Sequence, residues 1–133
     1  MKIVHVAIWA RDIETLKKFY LHYFNCTSSE IYVNHQKNFK SYFLGFNNGV
    51  KIELMTKPEL KSITNGDTVA GLAHFAICVG SRHDVDALTH KISGDGYSVS
   101  GWPRVTGDGY YESVVIDPEG NLIELVAETD TYQ

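Results

Sequence analysis

The sequence predicts an α+β protein in which two βαβββ modules pair into a curved, half-open, barrel-like sheet. One pattern of strand, helix and further strands runs through residues 3–56 and is repeated in residues 71–127. The closing strand of each module also contains the same tripeptide, Ile-Glu-Leu. Because a single module would leave one face of an open sheet uncovered, this repetition predicts that the two modules pair.

The first module begins with residues 3–9, an almost unbroken apolar run that is typical of a strand buried on both faces. Asp12 is a suitable N-cap, and the apolar residues after it recur at three- and four-residue steps, as they do on one face of a helix. This helix should end near Asn25. Further strands are predicted at residues 29–33, 39–46 and 50–56.

Turn and loop residues separate these elements. Asn47-Asn48-Gly49 lies between two apolar runs and predicts the turn of a hairpin. Residues 57–70 are polar, show little periodicity and contain Pro58 and Gly66, so they are interpreted as the connection between the modules.

The second module repeats this order. Residues 72–79 form another apolar run, again with a histidine at the third position. Ser81 is a possible N-cap for the helix that follows, and Gly94 and Gly96 should end it. A turn with proline at its second position, residues 117–120, precedes the closing strand. The strands after the helix are predicted near 97–102, at 111–116 and at 121–127.

Composition limits the class of protein. A chain of 133 residues with 44% hydrophobic content can form one compact domain, residues 1–133. A net charge of -4 without a block of Lys or Arg argues against nucleic acid or an anionic membrane as partner, and no apolar run approaches the roughly 20 residues of a membrane span. Cys26 and Cys78 form no CxxC pair, and the first residues do not resemble a signal peptide. We therefore expect a cytoplasmic protein with a small-molecule partner.

Four residues interrupt the apolar pattern at equivalent places: His5 and Glu53 in the first module, His74 and Glu124 in the second. A lone carboxylate in an apolar environment costs several kcal/mol or becomes protonated, so each glutamate needs a partner. A histidine in a strand is commonly a hydrogen-bonded structural residue, and such a glutamate commonly faces solvent. Their repetition in both modules favours the other interpretation, four ligands of one divalent cation.

Three segments of the chain resemble the vicinal oxygen chelate superfamily, which includes glyoxalase I, methylmalonyl-CoA epimerase, extradiol dioxygenases and fosfomycin or bleomycin resistance proteins. They are the early-strand His5, the segment Gly71-Leu-Ala-His74-Phe-Ala, and Asp117-Pro-Glu-Gly-Asn-Leu-Ile-Glu124-Leu. The resemblance covers nearly the whole chain. A His, Glu, His, Glu set resembles glyoxalase I most, since the dioxygenases and fosfomycin enzymes generally take three protein ligands.

The resemblance implies one divalent metal ion per site, Ni, Zn, Co, Fe or Mn, held by His5, Glu53, His74 and Glu124. It implies a metal-dependent lyase or isomerase of the glyoxalase I, or lactoylglutathione lyase, type. The metal would stabilise the enediolate of a small substrate with oxygens on adjacent carbons. Either Glu53 or Glu124 would act as the catalytic base, and Glu124 is favoured.

Candidate substrate-binding residues are Trp9, Arg11, Trp102 and Arg104. Glyoxalase I relatives carry an arginine four residues after the metal-binding histidine, where this chain has Trp9, and Arg11 follows two residues later. This departure disfavours glutathione as the substrate. Arg11 is equally well interpreted as a solvated residue before the helix. The segment Gly107-Asp108-Gly109 is either part of a rim or a plain turn.

Two other functions stay open at this stage. The chain could be a non-catalytic protein that binds an aromatic or glycosylated compound between residues such as Trp9 and Trp102. Ring-cleaving dioxygenase chemistry is disfavoured, because a fourth protein ligand crowds the position that oxygen needs on Fe(II). The site could be built by one chain or across a dimer, and base rates favour a twofold homodimer.

Overall fold

The computed structural model describes residues 1–47, 49–62 and 70–129, and the chain divides into two compact units, Met1–Ile63 and Thr64–Gln133. Each unit contains one helix and one sheet, so the predicted α+β class is confirmed. Asn48 of the predicted turn and half of the predicted connection, residues 63–69, lie outside the described residues. Among the described helices, none is long and apolar enough to cross a membrane.

The first unit contains β1 (His5–Trp9), α1 (Ile13–Tyr23), β2 (Thr27–Ser28), β3 (Tyr32–Asn34), β4 (Phe39–Gly45) and β5 (Lys51–Thr56). The strand β1 lies parallel to β5, and β4 lies antiparallel to β5. Both β2 and β3 pair with β4. The opening and closing strands of the unit are therefore neighbours in its sheet.

The single strand predicted at residues 29–33 is wrong, because two short strands, β2 and β3, occupy this region. Ser29 explains the interruption. Its hydroxyl accepts a hydrogen bond from the Phe43 amide at 2.9 Å and donates one to the Glu30 carbonyl at 2.9 Å. Because a side chain takes the place of a backbone carbonyl, the ladder between β4 and this segment is broken at Ser29.

The second unit contains β6 (His74–Gly80), α2 (Arg82–Gly94), β7 (Val99–Val105), β8 (Tyr111–Ile116) and β9 (Leu122–Ala127). The strand order is β6-β9-β8-β7, and β6 and β9 are parallel. As in the first unit, the opening strand lies beside the closing strand.

Both predicted N-caps are confirmed. The Asp12 carboxylate accepts a hydrogen bond from the Thr15 amide at 3.0 Å. Ser81 and Asp84 form a reciprocal capping box, in which each side chain accepts a hydrogen bond from the other residue's backbone amide. These contacts satisfy amide groups that the first turn of a helix leaves without partners.

Three hairpin turns have the same backbone hydrogen bond and the same glycine conformation. The amides of Gly49, Gly109 and Gly120 each donate to the carbonyl three residues earlier, and all three glycines have φ between 83° and 90°. A residue with a side chain is strained in this conformation, so glycine is required there. In the last turn, the Asp117 carboxylate also accepts hydrogen bonds from the amides of Glu119 and Asn121. The predicted turn at residues 117–120 is confirmed.

The helix of each unit covers one face of its sheet. In the first unit the buried side chains of this layer include Ile8, Leu16, Tyr20, Leu44 and Leu54. In the second unit they include Val85, Ile92, Val115, Ile123 and Leu125. Burial of this apolar surface supplies the main stabilisation of each layer.

The prediction that the opening strands are buried on both faces is wrong. His5, Ala7 and Trp9 alternate along β1 and are all exposed, whereas Ile8 between them is buried. In β6 the alternate residues from His74 to Cys78 are likewise exposed. An apolar run reports hydrophobicity but not how many layers pack on the strand, and one helix per unit covers only one face.

Candidate metal centre

The two units place a histidine and a glutamate at equivalent positions of their parallel strand pairs. The residue of β1 that lies beside Glu53 is two positions after His5. The residue of β6 that lies beside Glu124 is two positions after His74. Because alternate residues of a strand share a face, each pair projects from the face of the sheet opposite the helix. The predicted equivalence of the two pairs is therefore present in the strand register.

His74 and Glu124 are in direct contact. The His74 Nε2 atom lies 2.9 Å from Glu124 Oε1, and their side chains are 42% and 19% exposed. Adjacent ligands of a six-coordinate ion, with bonds of about 2.1 Å at right angles, lie about 3 Å apart. The spacing of these two donor atoms therefore fits two neighbouring ligands of one cation, and both side chains are partly exposed to solvent.

His5 and Glu53 are arranged differently. The His5 ring packs edge-on against the Phe43 ring, with 5.5 Å between the centroids. Phe43 is the β4 partner of Glu53 in the sheet. Neither a hydrogen bond nor an ion pair joins His5 to Glu53, both of which lie in the described part of the chain. In this unit an aromatic ring contacts the histidine where the second unit has a carboxylate.

The expectation that apolar side chains enclose these carboxylates is wrong. Glu53 and Glu124 are half-buried, and His5 and His74 are exposed. The residues described in each unit contain no group of three or more His, Cys, Asp or Glu side chains that could hold a metal ion. Imidazole nitrogen and carboxylate oxygen are nevertheless suitable donors for divalent ions such as Zn, Ni, Co, Fe and Mn.

Glu112 is a further acidic residue of this face that the sequence analysis missed. It lies beside Val126 on β9, two positions from Glu124 on the same face. Burial raises the pKa of Glu112, and the neighbouring charge of Glu124 raises it further. The confirmed turn at residues 117–120 fixes this register, so pairing the two strands through the turn would have identified Glu112.

Two of the predicted substrate-binding residues lie near the end of β1. Trp9 is 45% exposed and, by strand alternation, shares a face with His5. The Lys57 ammonium lies 4.6 Å from the centre of its indole ring, and the Phe39 ring packs edge-on against it. Arg11 is exposed in the bend between β1 and α1.

The other two lie on β7. The Trp102 ring packs against His90 of α2, with 5.3 Å between the centroids, so it is directed toward the helix. Arg104 lies beside Glu112 in the sheet, and its charge partly offsets the upward shift of the Glu112 pKa. Arg104 therefore belongs to the polar group that contains Glu124, and Trp102 contacts a different part of the unit. The segment Gly107-Asp108-Gly109 forms the hairpin turn after β7.

Comparison with known proteins gives one family match and many similar structures. A family model described as Glyoxalase/Bleomycin resistance protein/Dioxygenase superfamily matches residues 2–125. Glyoxalase I from Zea mays superposes with a TM-score of 0.78 at 23% identity, over 98% of this chain and 46% of that chain. A glyoxylase/bleomycin resistance protein/dioxygenase domain from Frankia sp. EAN1pec superposes with a TM-score of 0.81 at 15% identity, over 99% and 95% of the two chains. At these identities the similarity shows the fold, which is glyoxalase-like.

A curated relative is the uncharacterized protein YqjT of Bacillus subtilis (strain 168). It is 38% identical over 60 residues, which is 43% of this chain and 47% of the relative. The chain therefore spans about half the length of the Bacillus protein and of the maize enzyme.

Proposed function

The chain belongs to the Glyoxalase/Bleomycin resistance protein/Dioxygenase superfamily, and we propose that within it the chain is a metal-dependent lyase or isomerase of the glyoxalase I type. Its substrate is proposed to be a small molecule with oxygens on adjacent carbons. His5, Glu53, His74 and Glu124 are proposed to bind one divalent cation, Ni, Zn, Co, Fe or Mn. A fold of this kind supports many reactions, so the proposal depends on the site.

One observation supports the proposal most. Both units place a histidine and a glutamate in the same register on parallel strands, and in the second unit the two donor atoms have the spacing of neighbouring metal ligands. Neither residue type is required by the fold at these positions, because the face from which they project is not covered by the helix. Repetition of both residues therefore favours a shared functional cause.

Each residue has a chemical role in this proposal. A bound cation would supply the positive charge that stabilises an enediolate formed from the substrate. Glu124 is proposed as the base that removes the substrate proton, and Glu53 is the alternative. In this proposal the half-buried Glu124 carboxylate takes the substrate proton and returns it to the neighbouring carbon. His74 Nε2 and Glu124 Oε1, which lie 2.9 Å apart, would both be directed to the cation as neighbouring ligands.

Elemental analysis of protein purified without added metal tests the site. We expect about one divalent ion per site in the parent chain and loss of that ion in Glu53→Ala and Glu124→Ala. Glu30→Ala, which removes an exposed glutamate of the first unit, is the matched control and should keep its metal. If both Glu53→Ala and Glu124→Ala keep a full complement of metal, the ligand assignment is wrong.

A methylglyoxal–thiol assay tests the reaction. We expect turnover that stops when the metal is removed with a chelator and resumes when a divalent ion is added back. Glu124→Gln should lower kcat strongly, because the amide cannot accept the substrate proton. Full activity of chelator-treated protein would contradict the proposed mechanism.

A second candidate is a non-catalytic small-molecule binding protein. The exposed Trp9 beside an aromatic Phe39 favours this function, because such rings bind flat ligands. It predicts ligand binding that is unchanged by chelators and no turnover in the assay above.

A twofold homodimer and a cytoplasmic location stay predictions. Light scattering with native mass determination tests the oligomeric state.

A further inference from the structure

The first unit contains a cavity of about 550 Å³ at one end of its sheet. This volume is within the range of about 300–1,000 Å³ that small-molecule sites occupy. Six of the residues that line it are polar: Asn34, His35, Asn38, Lys40, Thr56 and Lys57. The cavity therefore offers hydrogen-bond donors and positive charge to a ligand.

The charge of this cavity differs from that of the chain. The whole sequence has 16 acidic and 12 basic residues and a net charge of -4, yet none of the described lining residues is acidic. Glu59, which is close in sequence to Lys57, does not line the cavity. Within the part of the chain that the structure describes, no carboxylate forms an ion pair with Lys40 or Lys57. Two ammonium groups without a counter-ion attract an anion.

The rim of the cavity is held by the turn between β3 and β4. Asn34 and Phe39 face each other at the end of the two strands. The Asn34 side-chain oxygen accepts a hydrogen bond from the Lys37 amide at 3.1 Å. Asn38 completes the turn with φ of 49°, a conformation that asparagine adopts more readily than most residues. A rim ordered before binding loses less entropy when a ligand binds.

Two aromatic rings lie beside Lys57. Phe39 lines the cavity and packs edge-on against Trp9, with 6.2 Å between the centroids. The Lys57 ammonium lies 4.6 Å from the centre of the Trp9 ring. A ligand whose anion pairs with Lys57 would therefore place its remaining atoms close to flat apolar surfaces.

We propose that this cavity binds the anionic end, a carboxylate or a phosphate, of a small molecule whose apolar part lies against Phe39 and Trp9. Lys57, which lies at the Trp9 ring, pairs with the anion, and the amides of Asn34 and Asn38 donate hydrogen bonds to it. Lys40 projects from the other face of β4 and contributes positive charge to the cavity from a longer distance. The site involves none of the four proposed metal ligands. It therefore stands independently of the proposed lyase or isomerase activity.

Trp9 provides a direct signal for binding. The chain has two tryptophans, so Trp102→Phe leaves Trp9 as the sole indole fluorophore. Protein treated with EDTA and then dialysed is titrated with phenyl phosphate, phenylacetate and the neutral benzyl alcohol, with NaCl keeping the ionic strength constant. We expect a saturable change in Trp9 fluorescence with one or both anions, at a Kd of about 1 mM because the lysines are exposed, and none with benzyl alcohol.

The variants Lys40→Gln and Lys57→Gln test the two cations. Lys57→Gln should weaken anion binding by about five-fold or more, because it removes the charge that pairs with the anion. Lys40→Gln should weaken it by about two-fold, because its charge acts from a longer distance. Lys40 does not contact Trp9 in the described contacts, so Lys40→Gln leaves the indole environment intact. Lys51→Gln is the matched control, because Lys51 is also an exposed lysine of this sheet beside an aromatic ring and does not line the cavity.

The outcomes separate cleanly. Saturation by phenyl phosphate alone supports the proposal and assigns a phosphate, saturation by phenylacetate alone assigns a carboxylate, and saturation by both assigns a general anion site. The absence of saturation with either anion overturns the proposal, as does an equal loss of binding in Lys51→Gln. Glu124→Gln should bind the anions normally, so failure of the metal site and failure of this site are measured in different variants.

Discussion

The two units have the same strand register, and they differ in the residue that lies beside the glutamate. In the second unit Val114 is the β8 partner of Glu124, and His74 reaches Glu124. In the first unit Phe43 occupies the equivalent place beside Glu53, and its ring contacts His5 instead. The backbone therefore sets the positions of the two pairs, and we attribute the different contacts of the two histidines to the bulk of the residue beside each glutamate.

Truncation of a core leucine in each unit has the largest expected effect on stability. Leu54 and Leu125 follow the two site glutamates and are fully buried. Leu54→Ala and Leu125→Ala should each lower the free energy of unfolding by about 2–5 kcal/mol. Urea unfolding followed by circular dichroism measures the loss, with the exposed Lys51→Ala as control.

The same experiment also tests whether the two units unfold together. A single transition shifted equally by both variants is expected for one domain spanning residues 1–133. Two transitions, each shifted by only one variant, would contradict the single-domain prediction and identify two separately unfolding units.

Exchange of the residue beside the glutamate tests the explanation by bulk. Val114→Phe should introduce a ring where His74 reaches Glu124 and weaken metal binding by about 10- to 100-fold, the range for loss of a group that orients a ligand. Phe43→Val should free His5 from its ring contact without weakening metal binding. Competition with a chromogenic chelator measures both affinities. Equal metal affinities in Val114→Phe and the parent chain would contradict the explanation by bulk.

A smaller effect is expected from the polar contacts between helix and sheet. In the second unit Ser113 and Thr89 share a hydrogen bond of 2.7 Å and are fully buried. In the first unit the Tyr42 hydroxyl donates to the half-exposed Glu14 at 2.6 Å. Ser113→Ala should cost about 1 kcal/mol, because the buried Thr89 hydroxyl loses one of its two partners and keeps the Val85 carbonyl. Tyr42→Phe should cost less than about 1 kcal/mol, since solvent screens its partner. Chemical unfolding at pH 7 compares the loss in the free energy of unfolding of the two variants.

The smallest effect is a pH dependence confined to the first unit. The hydrogen bond from Tyr42 holds the pKa of Glu14 below its ordinary value of 4.5. A carboxyl whose pKa is lower in the folded state stabilises the fold above the unfolded-state pKa, and this stabilisation is lost as the pH falls through the folded-state pKa. The difference between Tyr42→Phe and the parent chain should therefore be full at pH 7 and shrink as the pH falls below 4.5 and through the lowered pKa of Glu14. A constant difference down to pH 2.5 would contradict this cause.

The sequence predicted the elements that begin or end at clear cap and turn residues. Local hydrogen-bonding groups form the caps at Asp12 and Ser81 and the turn at residues 117–120. The strand β8 has the predicted bounds, Tyr111–Ile116. Local chemistry decides such features, so a single sequence is sufficient for them. The interruption at Ser29 was missed because it depends on the Phe43 amide, a partner far along the chain.

The candidate site was predicted in part. Repetition of His5 and His74 with their glutamates indicated equivalent positions, and the strand register places them so. Their burial was overestimated, because an apolar run does not report whether a strand carries one packed layer or two. Glu112 interrupts no repeated motif, and only its neighbour across the strands, Glu124, gives it significance.

The parallel pairing of β1 with β5 and of β6 with β9 has a consequence for biosynthesis. On the ribosome, each histidine emerges long before the strand that completes its sheet edge, because the helix and all intervening strands must be translated first. Such non-local pairing is slow to form and closes a long loop. The two residues of each proposed ligand pair therefore become neighbours only when the last strand of their unit has been synthesised.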